Sequence, residues 1–416
     1  MKKNVFTTAA LAALATAASA GVAHAQHAPA APAPTHSTSW TGTVGEDRFG
    51  DARFKMRGRF QYDVQSNDWD VLNEDGTRSY VRRAFLGVQG RLTEQWRYKV
   101  DFILSPGDDA AGQVGVDDAF LEYVGDDWSI VIGEHNITSP LEDRISSLDI
   151  PFIERSSVIN AFEYGRAAGI GFIAGGANWS FSTALQGDSL NNADTNFAAD
   201  ERTSVSGRFT FAPIFESSPE GVTLVHLGLT ARARDIGGDA ASRYRTRPLN
   251  GRGTRWIDAG AGLAGESDTT FGAELALQRG PFGVQAEYHM LDGETAGGVE
   301  YEFSGYYVDA YWSITGESRQ YRGNQGSFGP IAPTHAFGSD GGLGHLMLSA
   351  RYDYIDLSDP AGAATRGEQT AYSVGLDWVP VDHVRFKLNY AMSEMDRTVG
   401  ADDEASIITL RSQFDF

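Results

Sequence analysis

Polar and apolar side chains alternate along many short segments of the chain, beginning at Arg53. The odd-numbered positions from Arg53 to Asp63 are all polar, whereas the even-numbered positions from Phe54 to Tyr62 are apolar or glycine. The same alternation returns over residues 96–105 and 384–393. A period of two places successive side chains on opposite faces of a β-strand. The pattern therefore predicts strands with one polar and one apolar face.

Sixteen segments carry this pattern, and turn residues such as Gly175-Gly176 and Gly280-Pro281 separate several of them. Strands of about ten residues are long enough to cross a bilayer at a tilt, and bacterial membrane barrels have an even number of strands. The predicted strands are residues 53–63, 80–91, 95–105, 114–124, 128–134, 168–175, 177–187, 201–213, 222–235, 268–279, 281–291, 301–315, 343–357, 367–379, 382–395 and 404–416.

A water-soluble sandwich would also alternate, so the ends of the apolar faces decide between the two folds. Aromatic residues occupy these ends, as in the interfacial girdles of a membrane barrel. The last strand alternates up to its final residue, Phe416, which suits closure against the first strand. We therefore predict an all-β fold, a transmembrane antiparallel β-barrel of about 16 strands. The residues predicted to form the girdles are Trp96, Tyr98, Tyr123, Trp128, Tyr352, Tyr354 and Trp378.

The first 50 residues differ in composition from the rest. Residues 1–25 combine Lys2-Lys3, an Ala/Leu-rich run and Ala23-His24-Ala25, which is typical of an export signal. Residues 26–50 are rich in Pro, Ala and Thr, show no apolar periodicity and are interpreted as a tether. The barrel is expected over residues 51–416, in the cell outer membrane.

Overall composition excludes several other classes of protein. There is no cysteine, so no disulfide scaffold, and no apolar run near 20 residues follows residue 25, so no bundle of membrane helices. The net charge of −21 disfavours nucleic-acid binding, which needs a basic surface. No metal-binding spacing such as H-E-x-x-H occurs, and neither a metal nor a cofactor is expected.

The charges divide unequally between the two faces of the strands. Much of the negative charge lies in connections such as residues 67–75 and 401–404, whereas the polar face of the strands is mainly basic. Fixed cations in a confined pore raise the local concentration of anions. The predicted lumen therefore favours anions, although the chain is acidic. Its basic residues are Arg53, Lys55, Arg57, Arg59, Arg83, Arg91, Arg97, Lys99, Arg232, Arg234, Arg351, Arg385, Lys387 and Arg411.

Three connections are too long to be simple turns: residues 136–167, 235–267 and 316–342. The first contains apolar residues, including Ile150 and Phe162, that a solvated loop would not need, and we expect it to fold inward. By strand parity it is the third external loop if the N-terminus is periplasmic. It contains Arg144, Arg155 and Arg166.

Several stretches resemble the phosphate-selective porin O and P family. They are YVRRAFLGVQGRLTEQWRYKVDFILS, IVIGEHNITSPLEDRISSLDIPFIERSSVINAF, GRAAGIGF, WSITGESRQY and LSARYDYIDL, and the resemblance runs through most of residues 53–416. Its most specific parts are the double arginine Arg82-Arg83 and the S-P-L-E…F-I-E-R segment.

The resemblance implies a trimeric sixteen-stranded porin with inward-folded loops, in which an arginine ladder conducts phosphate-like anions. On this similarity Arg144, Arg155 and Arg166 lie on or beside the constriction loop, whereas Arg57, Arg59 and Arg83 lie on the ladder. The expected partners are outer-membrane lipid, small inorganic anions such as phosphate, and two further copies of the chain.

Other functions remain as alternatives. Such porins also use lysines near the constriction, but only Lys55, Lys99 and Lys387 follow the signal, so a general diffusion porin without phosphate selectivity is the nearest alternative. A barrel with a plugged lumen that acts in binding is another. A barrel-embedded hydrolase would need a nucleophile motif such as G-x-S-x-G, which does not stand out, and His289 and His345 are isolated in the sequence. An enzyme is therefore not expected.

Overall fold

A computed structural model describes most of the chain. The described residues are 41–43, 53–105, 114–162, 164–191, 202–236, 244–259, 263, 265–338, 341–360 and 365–416. The predicted export signal (residues 1–25) lies outside them. So does most of the predicted tether (residues 26–50), within which Thr41–Thr43 form a short strand, β1, paired with the start of the first barrel strand.

Sixteen antiparallel strands form the wall of the molecule. All sixteen predicted strands are present. They are β2 (Arg53–Trp69), β3 (Gly76–Arg91), β4 (Trp96–Ile103), β5 (Gly115–Val124), β6 (Trp128–His135), β7 (Ala167–Gly175), β8 (Trp179–Gln186), β9 (Thr203–Ser218), β10 (Gly221–Asp235), β13 (Gly265–Arg279), β14 (Phe282–Thr295), β15 (Glu300–Ser313), β18 (His345–Asp356), β19 (Gly367–Val381), β20 (Val384–Arg397) and β21 (Asp403–Asp415).

The sheet closes on itself because β2 pairs with β3 on one side and with β21 on the other. Phe60 is opposite Phe414 in the closing pair, as expected from the alternation that continues to the chain end. β2 extends to Trp69, six residues beyond its predicted end. Residues 65–68 are all polar and show no alternation, yet the backbones of residues 65–67 pair with both neighbouring strands and that of Asp68 pairs with β21.

The two rims differ in the lengths of their connections. One rim has tight turns, such as residues 125–127 and 280–281, and the chain end; the other has long loops. Short turns face the periplasm and long loops the exterior in bacterial outer-membrane barrels. We name the rims periplasmic and external accordingly.

The two faces of the strands follow the alternation. Leu388, Ile408 and Leu410 are about half exposed on the outside, whereas Arg411 is fully buried inside. Near the periplasmic rim the outward rings of Trp96, Tyr123 and Trp128 stand in a row with centroid separations of 5.2 and 5.7 Å. Towards the external rim, outward tyrosines form a second group: Tyr306, Tyr352, Tyr354 and Tyr372.

Three connections enter the barrel. Loop 3 (residues 136–166) contains the short helices α1 (Leu141–Arg144) and α2 (Ser157–Ala161). Loop 5 (residues 236–264) contains the strand pair β11 (Arg245–Thr246) and β12 (Ile257–Asp258). The long periplasmic turn (residues 314–344) contains the pair β16 (Tyr321–Arg322) and β17 (Ser327–Phe328) around a 3-10 turn, Gly323–Gln325. No helix in the described part of the chain is long and apolar enough to cross a membrane.

The interior is filled unevenly. On the external side of loop 3, α2 packs with loop 5 and with β14, β15 and β18 in one apolar cluster that includes Val158, Phe162, Tyr244, Tyr301 and Ile355. The inward folding of loop 3 is therefore confirmed, because its apolar residues are buried against the wall and loop 5. The open space that remains lies towards β2–β10.

Candidate functional site

A cavity of about 870 Å³ lies on the periplasmic side of loop 3 and is here named the inner cavity. Its wall is formed by β2–β5, its roof by residues 143–149 of loop 3, and part of its side by residues 327–332 of the long turn. All six arginines singled out in the sequence line it: Arg57, Arg59, Arg83, Arg144, Arg155 and Arg166.

Three of these arginines are paired with carboxylates. The Nε of Arg57 is 3.5 Å from Asp101, and the Nε of Arg155 is 3.3 Å from Asp143. The guanidinium of Arg166 reaches Asp117 at 3.0 Å and Asp118 at 2.7 Å. Much of the charge of these three side chains is therefore balanced within the protein.

The other three have neutral partners. Arg59 donates to the Ser147 hydroxyl at 2.9 Å, Arg83 donates to the Gln61 side chain at 3.0 Å, and Arg144 makes a long contact of 3.5 Å with the Asn136 carbonyl. Among the residues that the structure describes, no carboxylate lies within ion-pair distance of any of them. Burial, together with nearby Arg208, lowers the pKa of Arg144 to about 10, which leaves it charged at neutral pH.

A β-bulge explains the double arginine. Gln61 on β2 is opposite Arg83, but the next residue, Tyr62, is opposite Val81, so Arg82 is an extra residue in β3. A bulge re-aims a side chain that strict alternation would send to the other face. Both arginines consequently point inward, and Arg82 holds Glu154 of loop 3 with two hydrogen bonds of 2.8 Å. Alternation alone assigned only Arg83 to the lumen.

A second bulge lies in β5. Asp101 on β4 is opposite Asp118, whereas Phe102 is opposite Val116, so Asp117 is the extra residue. Asp117 and Asp118 are both buried on the inner face, where Arg166 contacts both. The sequence analysis did not predict two adjacent acids on the inner face. The consecutive residues Asp117 and Asp118 in one strand are the sequence feature that could have indicated this bulge.

Asp101, Asp117 and Asp118 also lie close enough together to hold a metal ion. Their charges are already met, because Lys99 pairs with Asp101 and Asp118 and Arg166 pairs with the two residues of the bulge. Three carboxylates that already face arginine and lysine do not make a cation site.

Two glutamates attach loop 3 to the wall, and they are the glutamates of the S-P-L-E…F-I-E-R segment. Glu142 pairs with Arg351 of β18 and also accepts from the Ser156 amide at 2.9 Å. Glu154 pairs with Arg82 and, at 3.1 Å, with Arg411. Burial alone would raise the pKa of Glu154, but these arginines hold it well below its usual range. Both ends of the cavity-lining part of loop 3 are thereby fixed.

Several other predicted lumen cations bind backbone carbonyls of loop 3. Arg385 donates to the Leu148 carbonyl, Lys387 to the Ile150 carbonyl, and Arg411 to the Ile153 carbonyl at 2.7 Å. Their inward placement agrees with the sequence prediction. Among the cavity residues, ten lysines and arginines face eight aspartates and glutamates, so the net positive charge is small.

A second space of about 380 Å³ lies on the external side of loop 3, here named the external cavity. It is lined by loop 3 and by the external ends of β8–β10, including Arg232 of β10. Asn136 and Arg166 line both cavities. The two cavities therefore adjoin at these two side chains.

The long turn packs under loop 3. Arg319 is buried against the rings of Phe328 and Tyr311, with centroid distances of 4.2 and 5.1 Å, whereas Arg322 lines the inner cavity. Arg208 of β9 pairs with Glu274 and donates to the Gly326 carbonyl. The turn thus narrows the periplasmic side of the barrel.

The residues considered for a hydrolase are not assembled as a catalytic group. His289 contacts Tyr164 and Glu287, and His345 contacts the Ser313 hydroxyl. Asp353, the acidic residue considered with these histidines for a hydrolase, accepts from the Ser157 amide and has no described contact with either histidine. These side chains support loop 3 and the wall.

A closed sixteen-stranded barrel with aromatic belts and a constricting inward loop is the architecture of an outer-membrane porin. The model of the family "Phosphate-selective porin O and P" matches residues 54–416. The chain belongs to this family, and it is an outer-membrane channel for small anions. Fold and family point to a channel rather than an enzyme.

Known relatives span nearly the whole chain. A protein of Caulobacter vibrioides is 32% identical over 399 residues, covering 92% of this chain and 78% of its own length. Porin O of Pseudomonas aeruginosa is 27% identical over 401 residues, covering 87% and 88%. The structure of an anion-selective porin from Comamonas acidovorans covers 87% of this chain and 100% of its own, at 10% identity and a TM-score of 0.53, which supports the fold.

Proposed function

We propose that this porin selects phosphate-like anions, and that Arg59, Arg83 and Arg144 are the residues that bind them. The observation that carries the proposal is the division of the six cavity arginines. These three line the inner cavity with neutral partners, whereas Arg57, Arg155 and Arg166 are paired with carboxylates.

Guanidinium groups suit this role because they stay charged at working pH and present a planar fork of donors to oxyanion oxygens. Screening limits the reach of each charge to about 8 Å at physiological ionic strength. The acidic external loops therefore have little influence on the anion inside the cavity. The paired arginines keep the walls in place and add to the local positive potential.

The test is the reversal potential in a planar bilayer across a tenfold KCl gradient. We expect the wild type to prefer chloride over potassium. The triple variant Arg59→Gln, Arg83→Gln, Arg144→Gln should lower the anion-to-cation permeability ratio by about an order of magnitude.

The matched control removes a cation together with its carboxylate. Arg57→Gln combined with Asp101→Asn leaves the net charge unchanged, and its permeability ratio should stay near that of the wild type. A cation-selective wild type contradicts the proposal. An equal loss in the control, which keeps the net charge, would mean that disturbance of the cavity wall, and not removal of the three cations, lowers the permeability ratio.

A general diffusion porin is the second candidate, because the lining charges of the inner cavity are nearly balanced. The two candidates differ in their response to phosphate. A phosphate-selective channel shows block of the chloride current by millimolar phosphate, whereas a general porin does not.

We also propose that three copies assemble, which rests on membership of the family. Mass measurement of the detergent-solubilised protein should give a trimer of the mature chain. If the protein is a monomer that conducts with the same selectivity, the proposed trimer is wrong but the proposed channel function stands.

A further inference from the structure

One acidic residue of the inner cavity has a histidine as its partner. Eight aspartates and glutamates line this cavity, and five of them form ion pairs with lysine or arginine. Asp415 of β21 instead contacts His383, with 2.9 Å between its Oδ2 and the ring Nδ1. Lysine and arginine stay charged at working pH, whereas histidine changes its charge between about pH 5 and pH 8. The charge balance at Asp415 is therefore sensitive to pH.

The histidine occupies a backbone position that few residues adopt. Asp382 and His383 form the two-residue turn between β19 and β20 at the periplasmic rim, and His383 has a φ of 69°. Such turns favour glycine or asparagine at positive φ, because a larger side chain is disfavoured there. The His383 carbonyl accepts from the Asp415 amide at 3.0 Å, so the backbone and the ring of His383 both hold the end of β21. Residues kept in such a conformation cluster at functional positions.

Asp415 also lies beside one of the arginines proposed to bind anions. It is directly opposite Arg59 across the β2–β21 pair. The adjacent pair, Gly58 and Phe416, exchanges two backbone hydrogen bonds of 3.1 Å, so Arg59 and Asp415 form the type of pair without such bonds, in which side chains are closer. Arg59 donates to the Ser147 hydroxyl, and among the described residues it has no ion pair with Asp415. Asp415 thus has two cationic groups within its reach, His383 and Arg59.

The other charged groups around this pair come from several elements. They are Asp382 of the same turn, Arg385 of β20, the chain end at Phe416, Asp149 of loop 3 and Arg322 of the long turn, and all of them line the inner cavity. Arg385 pairs with Asp149 at 3.5 Å and lowers the pKa of that carboxyl, whereas burial raises it more strongly. His135 of β6 is a second histidine in the lining, but it is only 1% exposed. Asp149 and His135 are therefore the groups that a test must separate from His383.

We infer that His383 is a specificity-determining residue, and that it makes the anion preference of the channel depend on pH. The protonated ring holds Asp415 with a charge-assisted hydrogen bond and leaves Arg59 available to anions. The neutral ring holds the carboxylate less strongly, so that Asp415 turns towards Arg59 and neutralises it. The inference rests on the proposed anion channel, because it concerns the regulation of one of the three arginines proposed to bind anions.

The net charge of the cavity changes in the same direction. Its lining has ten lysines and arginines against eight acids, so a proton on His383 raises the net positive charge from two to three. A larger positive charge in a confined pore raises the local concentration of anions. Both effects therefore increase the preference for chloride in acid.

The experiment measures the reversal potential in a tenfold KCl gradient at pH 5.5 and at pH 8. These two values lie on either side of the ordinary titration range of histidine. We expect the chloride-to-potassium permeability ratio of the wild type to be about twofold to threefold higher at pH 5.5 than at pH 8.

Two variants should fix the channel in one state each. His383→Asn tolerates the left-handed backbone, keeps a donor for Asp415 and does not titrate, so its ratio should stay near the wild-type value at pH 8 under both conditions. His383→Lys supplies a permanent cation, so its ratio should stay near the wild-type value at pH 5.5. His335→Gln is the matched control, because His335 is an exposed histidine of the long turn that lines neither cavity. It should keep the pH dependence of the wild type.

Two results would overturn the inference. One is a wild-type permeability ratio that does not change with pH, and the other is a pH dependence that persists in His383→Asn, which would assign it to His135 or Asp149. Failure of the proposed channel function looks different, since it appears as cation selectivity at both pH values. An anion-selective wild type with a constant ratio rejects the role of His383 alone.

Discussion

Each of the two β-bulges places two adjacent residues of like charge inside the barrel, but the two pairs differ in the partners that they bind. In β3 the extra Arg82 binds Glu154 of loop 3, and its neighbour Arg83 is left with the neutral Gln61. In β5 the extra Asp117 joins Asp118 on a single arginine, Arg166. One bulge therefore yields an available cation, and the other uses its charges to neutralise one. Whether a charged side chain in the lumen can bind a solute therefore depends on its partner within the protein.

Of the changes at the two bulges, removal of Arg82 should have the largest effect, and the effect should be on the stability of the barrel. Arg82→Gln leaves Glu154 buried with only Arg411, which should destabilise the barrel by about 2 to 3 kcal/mol, since breaking a buried ion pair is strongly unfavourable. Deletion of Arg82 restores a regular register without changing the faces of the flanking residues, and it should cost a similar amount. The measurement is the temperature at which the folded band disappears in SDS gels. If the deletion is much worse than Arg82→Gln, the bulge has a role of its own.

Acid should weaken the same attachment. The pKa of Glu154 is lowered in the folded protein, so the carboxylate stabilises the fold at neutral pH, and this stabilisation is lost as pH falls below the unfolded value of about 4.3 and approaches the folded pKa. We expect the unfolding temperature to fall from pH 5 to pH 3 more steeply in the wild type than in Glu154→Gln. Identical slopes would mean that other carboxylates control acid stability.

Neutralisation of Arg83 tests the available cation of the β3 bulge. Arg83→Gln should lower the chloride-to-potassium permeability ratio about twofold to threefold, with little change in the unfolding temperature, because its partner Gln61 is neutral and also bonds Gln413. Reversal potential and gel stability, measured on the same preparation, check both parts. A loss of stability comparable to that of Arg82→Gln would show that the two arginines do not divide their roles.

The smallest effect is expected at the β5 bulge, and in the opposite direction. Asp117→Asn removes one of the two carboxylates on Arg166, leaves Asp118 in place, and should raise the chloride preference by less than twofold. The same reversal-potential assay measures it. A decrease in chloride preference would show that Asp117 mainly orients Arg166.

The strands of the barrel wall could be predicted from the sequence, whereas the partners of the charged side chains on that wall could not. Alternation located every strand because one face meets lipid and the other meets water, so the polarity of each residue indicates the face on which it lies. It failed at Arg82 and Asp117, because a one-residue bulge changes face assignment locally while the flanking pattern stays intact. Arg351 and Lys387 were placed in the lumen but not on loop 3, since their partners are separated by about 200 positions and include backbone carbonyls that no sequence pattern marks.

The attachment of loop 3 also imposes an order on assembly. Arg82 anchors loop 3 from the second barrel strand, but four other anchoring side chains belong to the last quarter of the chain, whereas the loop leaves the barrel after its fifth strand. They are Arg351, Arg385, Lys387 and Arg411. Loop 3 cannot reach its final position until the last strands have inserted and the wall has closed, and contacts so distant along the chain form late. We therefore expect a wide, poorly selective precursor to exist briefly during insertion. Channels recorded while the protein folds into a bilayer should first open with high conductance and then step down.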